Sequence, residues 1–336
     1  MTATMKLTCV KFAGMACVFL LAAACVRGAE RPQLVAVEKV SGSLGFYDLD
    51  GKRLADVKLG LHPHEAVFSP DKRYLYVTDN GILWMTDPGA GENTISIVDL
   101  GARKRVGVID LGSNRRPHGI DVDPATGHLA VTVENPSGLL LVDPASRTVL
   151  RRYDTHGQAP HIVLLGPGAK TGYVSNDRTG DVAVIDMKSG SVVTIPLGAR
   201  PQGEALSRDG KSLYVTLMGA AAIAVIDLSS NRRTGTIQTG EGPCRIAVSP
   251  DGKTLVYALQ AGHAVGFADV ATLKETRRLP LSGPPVSLTL SADRTMAYSS
   301  VQEQDKVYVV SLARQEIVKV LEFPKGAGSD PVLPLP

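Results

Sequence analysis

Short apolar segments that end in aspartate recur along the chain. Successive copies lie 41 to 44 residues apart, except that the first interval is 51 residues. A repeat of this length indicates a chain built from similar supersecondary units. The copies are GFYDL at Asp48, SIVDL at Asp99, LLVDP at Asp143, AVIDM at Asp186, AVIDL at Asp227, GFADV at Asp269 and YVVSL, where Ser311 takes the aspartate position.

Each repeat contains four short segments rich in Val, Ile, Tyr and Thr, and polar turns such as Ser69-Pro70-Asp71-Lys72 separate them. Strands and hairpins have this composition. Four antiparallel strands in a repeat of about forty residues predict one blade of a β-propeller. The expected fold is therefore all-β, a seven-bladed β-propeller with four-stranded antiparallel blades.

The two ends of the repeated region predict how the ring closes. Residues 33–60 supply three strands only, and the stretch from Gly326 to Pro336 begins like a fourth. Pairing of the N-terminal strands with this C-terminal strand completes the seventh blade and leaves no open sheet edge. We expect one propeller domain over residues 33–336.

Residues 1–29 have the pattern of a bacterial export signal. Lys6 and Lys11 precede an apolar core, Phe12–Ala24, that is short for a membrane-spanning helix. Cleavage after Ala29 predicts a periplasmic or secreted protein. Ala22-Ala23-Ala24-Cys25 also resembles a lipoprotein box, which predicts a signal ending at Ala24 and a membrane-anchored lipoprotein with a lipid on Cys25.

Composition and charge exclude some classes of partner. The formal net charge is only +3, and no dense basic run is interleaved with aromatic residues, so no nucleic acid is expected. Of the four cysteines, only Cys244 lies beyond the leader, so packing rather than a disulfide must stabilise the fold. We expect a monomer.

The second strand of several repeats carries a more specific pattern. Tyr76-Val77-Thr78-Asp79, Tyr173-Val174-Ser175-Asn176 and Tyr214-Val215-Thr216-Leu217 resemble the YVTN-type seven-bladed propeller repeat, and the resemblance covers nearly all of residues 33–336. It implies a group that includes lactonase-like enzymes, haem-d1-bearing nitrite reductase domains, nitrous oxide reductase propellers and exported proteins without an established activity.

Three successive blades place histidine directly after the proline that opens them. In a propeller the first strand of each blade lines the central channel, so these residues surround one mouth. His64, His118 and His161 therefore predict a site for a divalent transition metal, since imidazole binds such ions. Alternatively, each His donates to a backbone carbonyl or to a turn carboxylate and fixes the entrance of its blade. His118 shares strand parity with Ile120 and Val122, so in this alternative it points between blades. The seven aligned residues are His64, His118, His161, Gln202, Cys244, Val286 and Val332.

Glu204 interrupts a register that is apolar in the other full blades. A carboxylate there needs a cation, hydrogen bonds or a proton, and Arg200 and Arg245 are the candidate partners. One interpretation is an internal ion pair. In the other, Glu204 is a general acid or base beside arginines that clamp a carboxylate-bearing substrate. Residues similar to those of lactonase-like and muconate-cycloisomerase propellers make up the candidate catalytic set, His161, Arg200, Glu204 and Arg245.

A long loop, Asp79 to Asn93, explains the 51-residue interval and holds the only tryptophan. Its Trp84-Met85 tip fits a cover over the mouth, a partner contact or packing against its own blade. Neighbouring loops contribute polar groups to the same face. The candidate ligand-binding residues are Trp84, Glu134, Asn176, Arg178 and Gln202.

No phosphate-binding glycine motif, haem attachment motif or nucleophile elbow occurs in the chain. The leading hypothesis is therefore an exported propeller that binds a small ligand, a metal or a protein partner at one mouth of the channel. The alternatives are a lactonase- or cycloisomerase-type enzyme and a structural subunit of a periplasmic complex.

Overall fold

The computed structural model describes residues 31–336, so the predictions about the export signal and Cys25 lie outside the described residues. Within this range, 28 strands form seven antiparallel sheets of four strands each. The predicted all-β, seven-bladed propeller is confirmed. No helix in residues 31–336 is long and apolar enough to cross a membrane. The helical segments described are three short 3₁₀ turns, Pro167–Ala169, Met218–Ala220 and Gln302–Gln304.

The first three full blades follow one another along the chain, each with its innermost strand first. Blade 1 comprises β4 Pro63–Phe68, β5 Tyr74–Asp79, β6 Thr94–Asp99 and β7 Lys104–Asp110. Blade 2 comprises β8 Arg115–Val122, β9 Leu129–Asn135, β10 Ser137–Asp143 and β11 Thr148–Tyr153. Blade 3 comprises β12 Pro160–Leu165, β13 Thr171–Asn176, β14 Asp181–Asp186 and β15 Val192–Pro196.

The next three blades repeat this order, and the seventh combines the two ends of the chain. Blade 4 comprises β16 Pro201–Leu206, β17 Ser212–Leu217, β18 Ala222–Asp227 and β19 Arg232–Gln238. Blade 5 comprises β20 Pro243–Val248, β21 Thr254–Leu259, β22 Ala264–Asp269 and β23 Lys274–Pro280. Blade 6 comprises β24 Thr289–Leu290, β25 Met296–Val301, β26 Lys306–Ser311 and β27 Glu316–Glu322. Blade 7 comprises β1 Leu34–Glu38, β2 Ser43–Tyr47, β3 Arg53–Lys58 and β28 Ser329–Pro334.

Ring closure occurs as the sequence predicts. Strand β1 pairs antiparallel with β28, and Ala36 lies opposite Val332. Val332 is fully buried in a cluster that also contains Leu34 of blade 7 and Leu321 and Phe323 of blade 6. The closing strand thus completes one sheet and packs against the next.

The hydrophobic core lies between the blades. One cluster joins Ile95 and Ile109 of blade 1 to Leu129 and Val131 of blade 2. The second and third strands of the blades are mostly buried, whereas the fourth strands are largely exposed. A single blade cannot bury both of its faces, so the apolar residues are covered only when neighbouring blades stack.

The first strand of blades 1 to 5 carries a β-bulge after its opening proline. In blade 2 the pairing passes from Pro117 opposite Val133 to Ile120 opposite Val131, so three steps on β8 match two on β9. Side-chain alternation cannot be counted through such a bulge. The predicted parity of His118 with Ile120, which would direct its ring between blades, is therefore wrong.

In blades 1 to 4 a side-chain hydroxyl holds the bulge and links it to the next blade. Thr132 Oγ1 accepts a hydrogen bond from the Gly119 amide at 2.7 Å and donates to the His161 carbonyl at 2.9 Å. Gly119 allows the close approach, because a Cβ there would lie 2.5 Å from that carbonyl oxygen. We call this arrangement the inter-blade hydroxyl bond. The other hydroxyls that make both contacts are Thr78, Ser175 and Thr216.

Placing a charge on the closing strand tests the ring closure. We expect Val332→Asp to lower the free energy of unfolding by about 4 kcal/mol or more, because it buries an unpaired carboxylate. The matched control is Val320→Asp on β27, where the native side chain is 43% exposed rather than fully buried. Urea unfolding of both variants gives the measurement, and equal loss of stability in the two would contradict this closure.

Candidate functional site

Three imidazoles meet at one mouth of the channel. The ring centroids of His64 and His118 are 4.7 Å apart, and those of His118 and His161 are 4.3 Å apart. Each side chain follows the opening proline of its blade and is only 3–4% exposed. The sequence-predicted row of histidines is therefore a continuous cluster of rings.

Backbone carbonyls orient two of these rings. Nδ1 of His64 lies 2.9 Å from the His62 carbonyl oxygen, and Nδ1 of His161 lies 3.4 Å from that of Gln202. A carbonyl only accepts, so Nδ1 carries the hydrogen and Nε2 keeps a lone pair. Nδ1 of His118 is buried without a partner, and no residue described here hydrogen-bonds Nε2 of any of the three rings.

Burial also keeps the three rings uncharged. Desolvation holds the pKa of His64, His118 and His161 well below the ordinary value, and nearby cations, Lys39 and Arg245, lower it further. The charged form of an imidazole is disfavoured in such surroundings. At neutral pH the cluster therefore offers lone pairs rather than positive charge.

A cavity of about 260 Å³ lies above the imidazoles, and we call it the mouth cavity. The three histidines, Gln202, Cys244 and Val286 line it from the blade openings, and Arg200, Arg245, Lys39 and Asp330 add charged groups. Leu83, Trp84, Met85 and Thr86 of the long loop line its other side. The loop of residues 79–93, called the Trp84 loop, thus lies over the mouth.

Specific contacts hold the Trp84 loop in place. Arg116 donates a hydrogen bond to the carbonyl of Met85 at 2.9 Å. The Trp84 amide donates to the carboxylate of Asp87 at 3.0 Å, and the Lys39 ammonium lies 5.5 Å from the centroid of the Trp84 ring. These contacts position the indole beside the cavity.

Every cation that lines the mouth cavity has an acidic partner. Lys39 Nζ lies 3.2 Å from Asp330. Arg245 lies 2.5 Å from Glu65. Arg200 binds both oxygens of Asp177 at 3.0 and 3.1 Å. These pairs balance the charge around the cavity.

The pairing proposed for Glu204 from the sequence is wrong. Arg200 and Arg245 bind Asp177 and Glu65 instead, and both carboxyl oxygens of Glu204 are buried without a hydrogen-bond partner. Desolvation raises the pKa of Glu204 well above its ordinary value. Acids from other blades occupy both arginines: Asp177, which follows the second strand of blade 3, binds Arg200, and Glu65 of blade 1 binds Arg245.

Glu204 lines a second cavity of about 160 Å³, which we call the channel cavity. Arg245 lines both cavities, whereas Glu204 does not line the mouth cavity and His161 and Arg200 do not line the channel cavity. The candidate catalytic set of His161, Arg200, Glu204 and Arg245 is therefore divided between two cavities.

The remaining candidate residues lie outside the mouth cavity. Glu134 and Arg178 line a separate cavity of about 410 Å³, where Arg116 pairs with Glu134 at 3.1 Å. Burial raises the pKa of Glu134 to about 7 against the opposing effect of Arg116. Asn176 is buried and donates to Asp181 at 2.7 Å, a contact within its own blade. Of the five predicted ligand-binding residues, Trp84 and Gln202 line the mouth cavity.

Among residues 31–336, no group of three His, Cys, Asp or Glu side chains has the arrangement of a metal site. The three imidazole rings are therefore close together, but their nitrogen atoms do not converge on one position that a metal ion could occupy. The Cys244 thiol lies 3.7 and 3.6 Å from the carbonyls of Ala258 and Pro285, and burial raises its pKa to about 11. It is a protonated thiol at neutral pH.

Several site residues were not found from the sequence. Lys39 and Asp330 belong to blade 7, which is formed from both ends of the chain. Neither end contains a complete repeat, so these residues could not be aligned with those of the other blades. Glu65 had a usable signal, because it and Arg245 both stand two places after an opening proline. Opposite charges in one register of a ring can meet across the axis, and here they do.

Comparisons with known proteins support the fold of this chain but identify no activity. No protein-family model matches the chain, so the resemblance to the YVTN-type repeat stays a prediction. Two proteins called Uncharacterized protein YncE, from Salmonella typhimurium (strain LT2) and Salmonella typhi, are each 36% identical over 93 residues. That segment is 27% of this chain and 26% of either relative, so the match covers about a quarter of their length.

Two solved structures share the fold at 18% identity. Kuenenia stuttgartiensis hydrazine synthase superposes with a TM-score of 0.66, over 78% of this chain and 86% of its own. Dihydro-heme d1 dehydrogenase NirN, in complex with DHE, gives a TM-score of 0.65 over 90% of this chain and 75% of its own. Both likenesses support the seven-bladed propeller.

The pH dependence of stability tests the isolation of Glu204. Its folded-state pKa is raised, so the folded chain keeps a proton that the unfolded chain releases above pH 4.5. Wild-type stability should therefore fall as pH rises towards the folded-state pKa. Glu204→Gln removes this loss, and its stability advantage should grow by about 1.4 kcal/mol per pH unit in that window.

Urea unfolding at pH 4.5 and pH 7 measures the stability difference between Glu204→Gln and the wild type. The control variant is Glu303→Gln, which changes an exposed glutamate. The other titratable groups near Glu204, which are Glu65, Arg245 and Tyr173, remain in all three proteins and cancel in the comparison. A stability difference that does not change with pH would mean that Glu204 has a partner.

Proposed function

We propose that this chain is a binding propeller that holds a small neutral molecule in the mouth cavity, beneath the Trp84 loop. One observation carries the proposal. Three uncharged imidazoles, with no partner on Nε2 among the described residues, line a cavity that an indole borders from the other side. A concave pocket lined by apolar side chains and a small number of polar groups is the usual form of a small-molecule site.

The residues indicate the chemistry of the ligand. Lone pairs on Nε2 accept hydrogen bonds, so the ligand must carry N–H or O–H donors. Trp84, Met218 and Val286 offer apolar contacts for a flat body. Because the surrounding cations are already paired with acidic residues, a net charge on the ligand would add little to its affinity.

The volume of the cavity limits the size of the ligand. At about 260 Å³ it lies below the range of about 300–1,000 Å³ that is typical of pockets for drug-sized ligands. The structural neighbour NirN is named for a heme d1 compound. A macrocycle of that kind would have to displace the Trp84 loop of this chain, and a small heterocycle would not.

The ion pairs weigh against the enzyme hypothesis. An arginine clamp for a substrate carboxylate needs unengaged guanidinium groups, whereas Arg200 and Arg245 already bind Asp177 and Glu65. Glu204, the proposed acid or base, lines the other cavity. A general acid or base must reach the substrate within hydrogen-bond distance. These placements favour binding over lactonase or cycloisomerase chemistry.

A transition-metal ion is the second candidate ligand, and the nearness of the three rings favours it. Imidazole nitrogens bind such ions at about 2.0–2.1 Å, so modest rotations of the rings would have to bring the three Nε2 atoms together. Elemental analysis of protein purified without a histidine tag tests this candidate. About one equivalent of Zn, Cu, Ni or Fe, lost in His118→Ala, is the expected result for a metal protein.

The single tryptophan reports directly on the proposed site. We expect neutral flat donors, with uracil and catechol as probes, to change Trp84 fluorescence saturably, and we expect succinate to have no effect. His118→Ala should weaken probe binding about five- to tenfold, by loss of one hydrogen-bond acceptor worth about 1–1.5 kcal/mol. The control His128→Ala, in a turn outside the mouth cavity, should bind as the wild type does.

Two results of the same titration would contradict the proposal. Binding of succinate or a lactone in preference to the neutral probes would favour the enzyme hypothesis. Binding of haem with a Soret shift that His118→Ala abolishes would show that the Trp84 loop opens for a macrocycle.

A further inference from the structure

The channel cavity lies on the axis of the propeller, because residues from all seven blades line it. One lining residue from each of blades 1 to 7, in order, is Glu65, Ile120, Val163, Glu204, Arg245, Leu288 and Pro331. Its volume is about 160 Å³. It is distinct from the mouth cavity to which the proposed function refers.

Glu204 is the chemically unusual residue of this cavity. It is 8% exposed, and neither carboxyl oxygen has a hydrogen-bond partner. The Ser175 hydroxyl nearby donates to the Gln202 carbonyl at 2.7 Å instead. A buried carboxyl group without a partner is costly, so the site requires a proton or a bound cation.

The charges of the cavity leave room for one cation. Glu65 and Arg245 form a close ion pair and balance each other. Glu204 has no such partner, so ionisation gives the cavity a net charge of −1. The Ser287 hydroxyl is also buried without a partner, whereas the Thr289 hydroxyl donates to the Val332 carbonyl.

The other walls indicate what kind of cation fits. Inorganic cations such as Ca²⁺ require six or more oxygen ligands. Here Ile120, Ile162, Val163 and Leu288 present hydrocarbon surface instead. A short alkyl group can contact that surface while an ammonium group contacts oxygen. The volume corresponds to about five water molecules in the liquid, so only a small molecule fits.

We propose that the channel cavity binds a small primary ammonium ion, with Glu204 as its counter-ion, the Ser287 hydroxyl as a second acceptor and the aliphatic side chains around its alkyl group. Glu204 holds a proton in the free protein, because burial raises its pKa. The incoming ammonium ion replaces that proton. The carboxyl group becomes a carboxylate paired with the ion, and one proton is released to solvent.

Titration calorimetry of the full chain tests the proposal, with methyl-, ethyl- and propylammonium chloride as probes and potassium chloride as the inorganic control. We expect saturable binding of at least one alkylammonium ion and none of potassium. Measurement in phosphate and MOPS buffers, neither of which contains a primary amine, should show release of up to one proton for each ion bound. Glu204→Gln should weaken binding at least tenfold, whereas the exposed Glu303→Gln should leave it unchanged.

A second variant tests the apolar wall. Leu288→Ala enlarges the cavity, so the preferred chain should lengthen from ethyl- or propylammonium towards butylammonium. A purely structural Glu204 would give neither this change nor the proton release. Absence of heat with every alkylammonium ion, equal binding of potassium, or wild-type binding by Glu204→Gln would overturn the proposal.

The two cavities can be tested separately. Trp84 fluorescence follows the mouth cavity, and proton-linked heat that depends on Glu204 follows the channel cavity. Failure of uracil and catechol to bind would leave the ammonium result unaffected, and the reverse also holds.

Discussion

The inter-blade hydroxyl bond is the interaction on which the rest of the structure depends. Thr78, Thr132, Ser175 and Thr216 each satisfy the amide exposed by a β-bulge and donate to the carbonyl of the residue after the next opening proline. A buried amide without a partner costs about 1–3 kcal/mol, so the bulge and the hydroxyl stabilise each other. The carbonyls held in this way belong to His118, His161, Gln202 and Cys244.

This bond explains why three histidines meet. Each hydroxyl places the opening residue of one blade relative to the bulge of the blade before it, so the imidazoles follow one another at nearly constant spacing. In blade 5 the equivalent position is Ala258, which has no hydroxyl. There the Cys244 thiol lies near the carbonyls of Ala258 and Pro285. The row of polar opening residues ends where the hydroxyl bond ends.

The channel is then organised by charge. Lys39, Arg200 and Arg245 are each paired, and burial near these cations keeps the three imidazoles neutral. Glu204 is the buried acid left without a partner. Arg245 lines both cavities. The Arg245–Glu65 ion pair therefore lies between the mouth cavity and the channel cavity.

Much of this architecture follows from the sequence, because the repeat period, the Asp-ending strands and the incomplete terminal repeats are local patterns. They predicted seven blades and their closure, and they aligned His64, His118 and His161 at one mouth. Counting positions failed at the bulge, which adds a residue to one strand only. It therefore misjudged the direction of His118. The arginine partners assigned to Glu204 were wrong for another reason, because Asp177 and Glu65 from other blades bind those arginines.

The sequence by itself thus determined the fold and the residues at each blade opening, since hydrogen-bonded strands and stacked blades depend on periodicity within a few dozen residues. Only the tertiary structure decided the ion pairs, the isolation of Glu204 and the position of the Trp84 loop over the mouth. Those features join residues far apart in the chain, such as Lys39 with Asp330 and Glu65 with Arg245. The first pair joins the two ends of the chain within blade 7, and the second crosses the axis from blade 1 to blade 5, so both exist only after the ring has closed.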